Sequence, residues 1–277
     1  MSDIRDVFIQ IKICAKKILA ILFGKHRRLN RLSRLPRYTA GTYKWKNGLF
    51  AFPDAASFAY IYKEVFIEQI YKFDTKSAQP LIIDCGANMG LSVLYFKDQY
   101  PGSRVIAFEP ERTIFNYLKK NVESLGLKNV ELLNKAVWSS NKTLLFSNEG
   151  ADASRIAALK DNDRGFTSTY EVQAVRLSEF IDREVDLLKI DIEGAEAEVI
   201  REIEPKLGYV KHVFIEYHSL EAAPQMLGDI LEILSKNNFR YYVDTTDRMR
   251  RRPFVDKDVF LSFDTFLNIY ATRQSTL

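Results

Sequence analysis

Two short runs carry side chains whose types and spacing suit them for chemistry. In "LLKIDIEGAE", Lys189 and Asp191 alternate along a strand and so share one face, with Glu193 just past its end. In "FIEYH", Glu216 and His218 share a face in the same way. If those strands lie side by side, all five side chains surround one point. Such a set can hold a cation, bind hydroxyl groups and accept a proton. His218 is the natural general base, because an unperturbed imidazole titrates near neutral pH. His26 and His212 fall in a basic leader and at a strand entrance, and are poorer candidates. Asp191 suits the cationic part of a cofactor, or orients an acceptor. Glu193 and Glu216 suit substrate hydroxyls, or orient His218. Lys189 with Asp191 also reads as a structural ion pair, and Glu196 and Glu198 as a solvated helix face. Asp191, Glu193, Glu216 and His218 offer donors to a divalent metal. No pair shows a helix-borne spacing such as H-x-x-x-H, so metal assistance is not favoured.

The stretch "LIIDCGANMG", Leu81 to Gly90, ends an apolar run on Asp84 and turns into a loop holding Gly86 and Gly90. Gly86 permits a sharp turn, and Gly90 lets a helix begin close to the strand. The dinucleotide fingerprint is G-x-G-x-x-G. Here Asn88 stands where its middle glycine would be, which argues against a pyrophosphate held on bare backbone. A carboxylate at the turn suits a cationic ligand, and S-adenosylmethionine carries a sulfonium and an ammonium but no phosphate. Glu109 ends the next apolar run, "VIAFE", 25 residues after Asp84. An acid there can accept hydrogen bonds from two ribose hydroxyls.

The elements that must position these residues alternate. Residues 55–73 have the period of an amphipathic helix, with Phe58, Ile61, Tyr62, Val65, Phe66 and Ile70 as its stripe. Strands are expected at Leu81–Asp84, "RVIAF", "VELLNKAVW", "DLLKI" and "HVFIEYH", with helices after most of them. Residues 139–180 lose the rhythm, leaving "KTLLF" and "YEVQAVRL" as short strands. "RYYVD" and "FLNIYA" close the chain as an antiparallel pair at or near one edge. This alternation predicts an α/β fold: a doubly wound, mostly parallel, Rossmann-like sheet.

"IIDCGANMG", "VIAFEP", "LLNKAVW", "GADASR", "VRLSEFI", "DLLKIDIEGAEAEVI" and "FIEYH" stand in the order and approximate spacing of the FkbM-type methyltransferases. The chain resembles that family over about residues 55–270. The resemblance implies a class I S-adenosylmethionine-dependent fold with strand order 3-2-1-4-5-7-6. It also implies O-methylation of a hydroxyl on a sugar, glycan or natural product. By position, Asp84, Gly86, Asn88 and Gly90 resemble the cofactor loop and Glu109 the ribose acid. Asn134 to Val137, with Ala136, should flank the adenine. Asp152, Ser154 and Arg155 fall in a loop that reaches toward cofactor or substrate.

The chain has 277 residues, enough for one large domain, and a net charge of +4. Residues 1–40 hold ten Lys/Arg and two Asp, a net of +8, which leaves −4 for residues 41–277. A slightly acidic body is not built to clamp nucleic acid, and none is expected as a partner. Residues 1–40 read as a basic amphipathic helical leader and 41–277 as the methyltransferase domain, its core starting near 80. Val7, Ile11, Cys14, Ile18, Ile21 and Leu22 share a helical face, but lysines interrupt the run, so it does not read as a membrane span. It lies on an anionic membrane through residues 7–37, or packs on its own domain or a second copy; both remain open. Cys14 and Cys85 are distant and unlike a disulfide framework, which favours a cytoplasmic setting, or the inner face of a membrane. The expected partner is a small-molecule or glycan acceptor, with a homo-oligomer left open. Rival readings are a nicotinamide-dependent oxidoreductase on a related fold and a non-catalytic, membrane-docked module.

Overall fold

The described chain opens on helical residues 27–32, and a hairpin follows. β1 (Gly41–Trp45) and β2 (Gly48–Phe52) pair antiparallel around Lys46 and Asn47. Asp54 then caps α1 (Ala55–Tyr62): its buried carboxylate accepts the Ser57 N–H at 2.8 Å and the Tyr38 N–H, and pairs with Arg37. The helix widens into a π-turn over Lys63–Glu68 and stops at Gln69, whose φ is 57°. The sequence period carried this helix to residue 73. A left-handed residue ends it five positions earlier, and Tyr71 and Phe73 reach the core from irregular chain.

The computed structural model describes residues 27–148, 154–156, 168–221, 223–245, 254–255 and 263–274. After the hairpin and α1 come β3 (Leu81–Cys85), α2 (Leu91–Gln99), β4 (Arg104–Phe108), α3 (Arg112–Ser124) and β5 (Val130–Leu133). Four short strands follow: β6 (Ala136–Trp138), β7 (Lys142–Asn148), β8 (Ser154–Ile156) and β9 (Ser168–Arg176). The chain then runs through β10 (Val185–Ile190), α4 (Glu196–Ile203), β11 (Val210–Leu220), α5 (Leu227–Lys236), β12 (Phe239–Thr245) and β13 (Phe263–Arg273).

Seven strands form one sheet in the order β12-β13-β11-β10-β3-β4-β5. Numbered by their turn within this sheet and read from β5, that is 3-2-1-4-5-7-6. β3 and β10 are buried along their whole length, as expected of central parallel strands covered on both faces. Alternation along β3 sends Ile83 and Cys85 to a core under α4 and α5, and Ile82 to a core under α2 and α3. β13 inserts antiparallel between β11 and β12. β6, β9, β7 and β8 make a second, four-stranded sheet. "VELLNKAVW" is therefore two strands in two sheets, broken at Asn134 and Lys135.

The hairpin and α1 were absent from, or too long in, the sequence reading, and they build a third core. Phe50, Phe52, Phe58 and Tyr62 pack there on Met89 and Leu94 of the central unit. Asn121 of α3 clamps the junction, accepting the Ala51 N–H at 2.6 Å and donating to the Ala51 and Met89 carbonyls. The described end of the basic leader joins the same core: Leu29 is buried, and Leu32 and Leu35 pack beside it. Arg28 lies over the Tyr43 ring. A boundary at residue 40 therefore cuts through one apolar cluster. The leader's apolar face, residues 7–22, lies outside the described residues. Among the described residues no helix is long and apolar enough to cross a membrane. Cys85 is a buried free thiol, and most of the basic stretch 247–254 lies outside the described residues.

Candidate active site

The site stands at the carboxyl ends of β3, β4, β10 and β11. Its floor is an ion pair inside the sheet. Lys189 is 2% exposed, and its Nζ lies 3.1 Å from Asp84 and 3.3 Å from Asp191. It also donates to the Gly86 carbonyl at 2.8 Å. Ser92 holds the other Asp84 oxygen. Burial alone would pull the Lys189 ammonium down, but Asp84 and then Asp191 hold it above its ordinary value. Asp84 is fully buried and lines neither of the two cavities above it. The sequence reading made Asp84 a direct partner of a cationic ligand; its actual partner is Lys189, so it fixes the loop from beneath.

That loop is pinned against the neighbouring strand. Gly86 has φ +83°, and a Cβ there would fall 1.8 Å from the Asp191 carbonyl oxygen, so only glycine fits. The Gly86 and Ala87 N–H groups donate to the Phe108 carbonyl. Asn88, with φ 50°, donates its N–H to Glu109 Oε2 at 2.9 Å. The Glu111 N–H takes Glu109 Oε1 at 2.9 Å. Gly86, Asn88, Glu109, Lys135, Ala136 and Asp191 all line the first cavity, a narrow cleft.

Burial pushes the Glu109 carboxyl up to about 8, against its two backbone hydrogen bonds. An unfolded glutamate ionises near 4.5, so the fold loses stability as pH rises from there to about 8. Ribose hydroxyls favour the ionised acid, which accepts at both oxygens. S-adenosylhomocysteine affinity is therefore expected to rise from pH 6 to 8 and level off above. Glu109→Gln should flatten that profile, weaken binding at pH 8 by about 10–100-fold, and cost the free chain one of the two backbone hydrogen bonds, since the amide nitrogen cannot accept. Calorimetry across pH, with thermal melts of both proteins, checks this; a pH-independent wild type would remove Glu109 from cofactor binding.

The second cavity is larger, about 520 Å³. Lys189, Asp191, Glu193, Glu216 and His218 line one wall. β10 and β11 run parallel with Ile190 opposite Ile215, which brings the two strand ends together. Arg37, Tyr60 and Glu64 from the N-terminal segment, with Tyr71, Phe263 and Phe266, line the rest. Gly86, Asn88, Asp191 and Glu193 line both cavities and form a neck between them.

His218 is buried, with Nδ1 at 3.0 Å from Glu196 Oε1. Its Nε2 points into the cavity, 3.8 Å from Glu193 and 3.9 Å from Glu216. Burial alone would pull this imidazole down, but Glu193, Glu196 and Glu216 hold it well above its ordinary value. The premise that His218 titrates unperturbed near neutral pH is thus corrected: three carboxylates keep a proton on it in the free chain. Burial pushes Glu216 up to about 8 and Glu64 up to about 7. One donor each from Asp191, Glu193 and His218 lie within 4.8 Å of one another.

The structure brings Gly86, Asn88, Glu109, Ala136, Asp191, Lys189, Glu193, Glu216 and His218 onto the two cavities. Three other candidates stand off them. Gly90 gives its space to Leu118, which a Cβ would meet at 2.7 Å. Asn134 braces the carbonyls of Glu109 and Pro110. Asp84 lies below the floor. Asp152 lies outside the described residues, as do the side chains of Ser154 and Arg155. Glu196, read as solvated, is 1% exposed and accepts the Ile192 and Gly194 N–H groups as well as His218. Its place at the head of α4, three residues after Glu193, was the available signal. Glu198, by contrast, is solvated. Glu64 carried no signal, because the π-turn rotates it off the face that a regular helix would give it. Of the aromatics between 43 and 62, Tyr60 alone lines the large cavity; Tyr43, Phe50, Phe52 and Tyr62 are core.

Residues 84–241 match a family model described as the methyltransferase FkbM domain. Methyltransferase sdnD of Sordaria araneosa is 31% identical over 191 residues, covering 57% of this chain and 73% of that protein. The 31-O-demethyl-FK506 methyltransferase FkbM of Streptomyces tacrolimicus is 24% identical over 222 residues, covering 67% of this chain and 83% of that protein. A crystal structure of methyltransferase FkbM from Methylobacillus flagellatus superposes with a TM-score of 0.46 at 16% identity, over 72% of this chain and 45% of that one.

Proposed function

Because the chain belongs to the FkbM-domain methyltransferase family, we propose that it moves the methyl group of S-adenosylmethionine onto a hydroxyl of a neutral, polyhydroxylated acceptor. A sugar unit of a glycan or of a glycosylated natural product has that chemistry. The observation that carries this reading is the neck of Gly86, Asn88, Asp191 and Glu193, which joins a cleft holding Glu109 to a larger chamber. The nucleoside lies along the cleft, its ribose on Glu109. The sulfonium sits at the neck, and the acceptor enters from the chamber. The family places a methyltransferase where a nicotinamide-dependent oxidoreductase was the rival.

Methyl transfer is an in-line displacement. The acceptor oxygen bonds to the methyl carbon as the carbon–sulfur bond breaks, and its electron pair passes to sulfur, leaving neutral S-adenosylhomocysteine. Holding oxygen, carbon and sulfur in line removes much of the barrier. The hydroxyl proton leaves to the Glu216 carboxylate, which lines the chamber beside His218. Glu64 and Glu216 offer hydrogen-bond acceptors to hydroxyls, and Tyr60, Tyr71, Phe263 and Phe266 offer ring faces to sugar C–H groups. The same carboxylates oppose an anionic acceptor. Tyr60, Glu64, Phe263 and Phe266 lie outside the residues that match the family model, so part of the acceptor wall is built from chain that flanks the matched domain. A relative named for the 31-O-demethyl position of FK506 supports oxygen as the acceptor atom.

The test supplies methyl-labelled S-adenosylmethionine with neutral oligosaccharides, sugar nucleotides and amines. Label in a base-stable ether on the neutral sugars is expected, with the anionic sugars poorer. Label on amines only would sink the hydroxyl reading.

A further inference from the structure

We propose that Asp191, Glu193 and His218 form a binding site for one divalent cation at the neck. The cation's role, to hold the acceptor oxygen beside the cofactor, rests on the methyl-transfer reading; its binding does not.

Three observations carry the site. The donor atoms lie within 4.8 Å of one another. The His218 Nε2 to Glu193 separation of 3.8 Å is too long for a hydrogen bond yet close to the span of two donors bonded to one ion at about 2.0–2.2 Å each. Second, His218 is 6% exposed, its Nε2 aims into the cavity, and no acceptor stands within hydrogen-bond distance of that atom among the described residues. Third, its other ring nitrogen is locked. Glu196 takes Nδ1 at 3.0 Å, the outer-shell carboxylate that orients a metal-bound imidazole, and the ion displaces the proton that Nε2 carries in the free chain. The same Glu196 oxygen accepts the Ile192 and Gly194 N–H groups and so fixes the turn that carries Glu193. One buried carboxylate thereby sets two of the three ligands. Lys189 engages Asp191 through Oδ2 and steadies that ligand from beneath.

The donor set is two carboxylate oxygens and one imidazole, with no thiolate. That chemistry suits ions of the Mn²⁺ and Mg²⁺ class, with water or an acceptor oxygen filling the remaining positions. The ion's charge matches the two carboxylates.

The test uses the full chain, stripped with chelator and titrated with Mn²⁺ while the resonance of free Mn²⁺ is followed. One saturable site is expected. Glu193→Gln and His218→Asn should each weaken it more than tenfold, and Glu196→Gln by about 10–100-fold. Thermal melts of the same metal-free samples report whether each variant is folded, and S-adenosylhomocysteine calorimetry on the wild-type chain reports the cofactor site. Cofactor binding without saturable Mn²⁺ binding overturns the metal site and leaves the methyl-transfer reading standing. Mn²⁺ binding without cofactor binding supports the site and overturns that reading. Mn²⁺ binding that survives both ligand substitutions means adventitious uptake elsewhere and overturns the site.

Discussion

Lys189→Met should destabilise the chain by about 3–5 kcal/mol, because it strips a buried charge of its partner. Asp84 is fully buried, and its remaining described partner is the Ser92 hydroxyl. The Gly86 carbonyl loses its donor as well. Asp84 lines neither cavity, so water does not replace the lost partner at its carboxylate. The methionine itself fits, since its volume resembles the lysine stem. The cost is electrostatic, and the cycle that isolates it is Asp84→Asn, Lys189→Met and the pair together. Removing both charges should recover most of the loss, since a buried pair is worth little against neutral groups of the same size. Urea unfolding of the four proteins measures this. A single Lys189→Met variant within 1 kcal/mol of wild type, on the scale of a surface change, would mean that Asp84 finds another partner. The double variant has a second use: its loop can fold, so its cofactor affinity tells whether the ion pair does more than support.

That pair also marks how far the chain could be read before its structure. "LIIDC" and "DLLKI" are apolar runs without alternation, and such runs belong at the centre of a parallel sheet. Once they were central, a period of two brought Lys189 to Asp191 and Glu216 to His218, and adjacency brought the four together. Glu109 was legible for the same reason, as an acid at the end of the next strand. Local pattern cannot show which carboxylate faces a ligand and which faces a lysine inside the sheet. Asp84 and Asp191 looked alike until the register set Lys189 opposite Asp84. The chamber's outer wall was not legible at all. Tyr60 reaches it from α1, Glu64 from the π-turn that follows, and Phe263 and Phe266 from a strand inserted from the end of the chain. Those are long-range outcomes with no local signature. The hairpin was a plain omission: Asn47–Gly48 between aromatic runs is a recognisable turn signal.

His218→Ala should lower methyl transfer by about 10²–10⁴-fold, because it strips the acid–base carboxylate Glu216 of the imidazolium beside it, while S-adenosylhomocysteine affinity changes less than about threefold. The separation follows from position. His218 lines the chamber and not the nucleoside cleft, so a product that fills the cleft does not touch it. Alanine also leaves Glu196 without its ring partner and opens a gap beside Phe263 and Phe266. His218→Asn controls for both effects, since its amide can still donate to Glu196 and fills part of the gap. If the imidazole takes part in the reaction, the two variants lose turnover alike. If His218 only holds the turn, asparagine restores most of the rate. Single-turnover measurement with saturating cofactor separates the chemical step from acceptor binding. Wild-type turnover in both variants would remove the imidazole from the reaction and leave it a structural partner of Glu196.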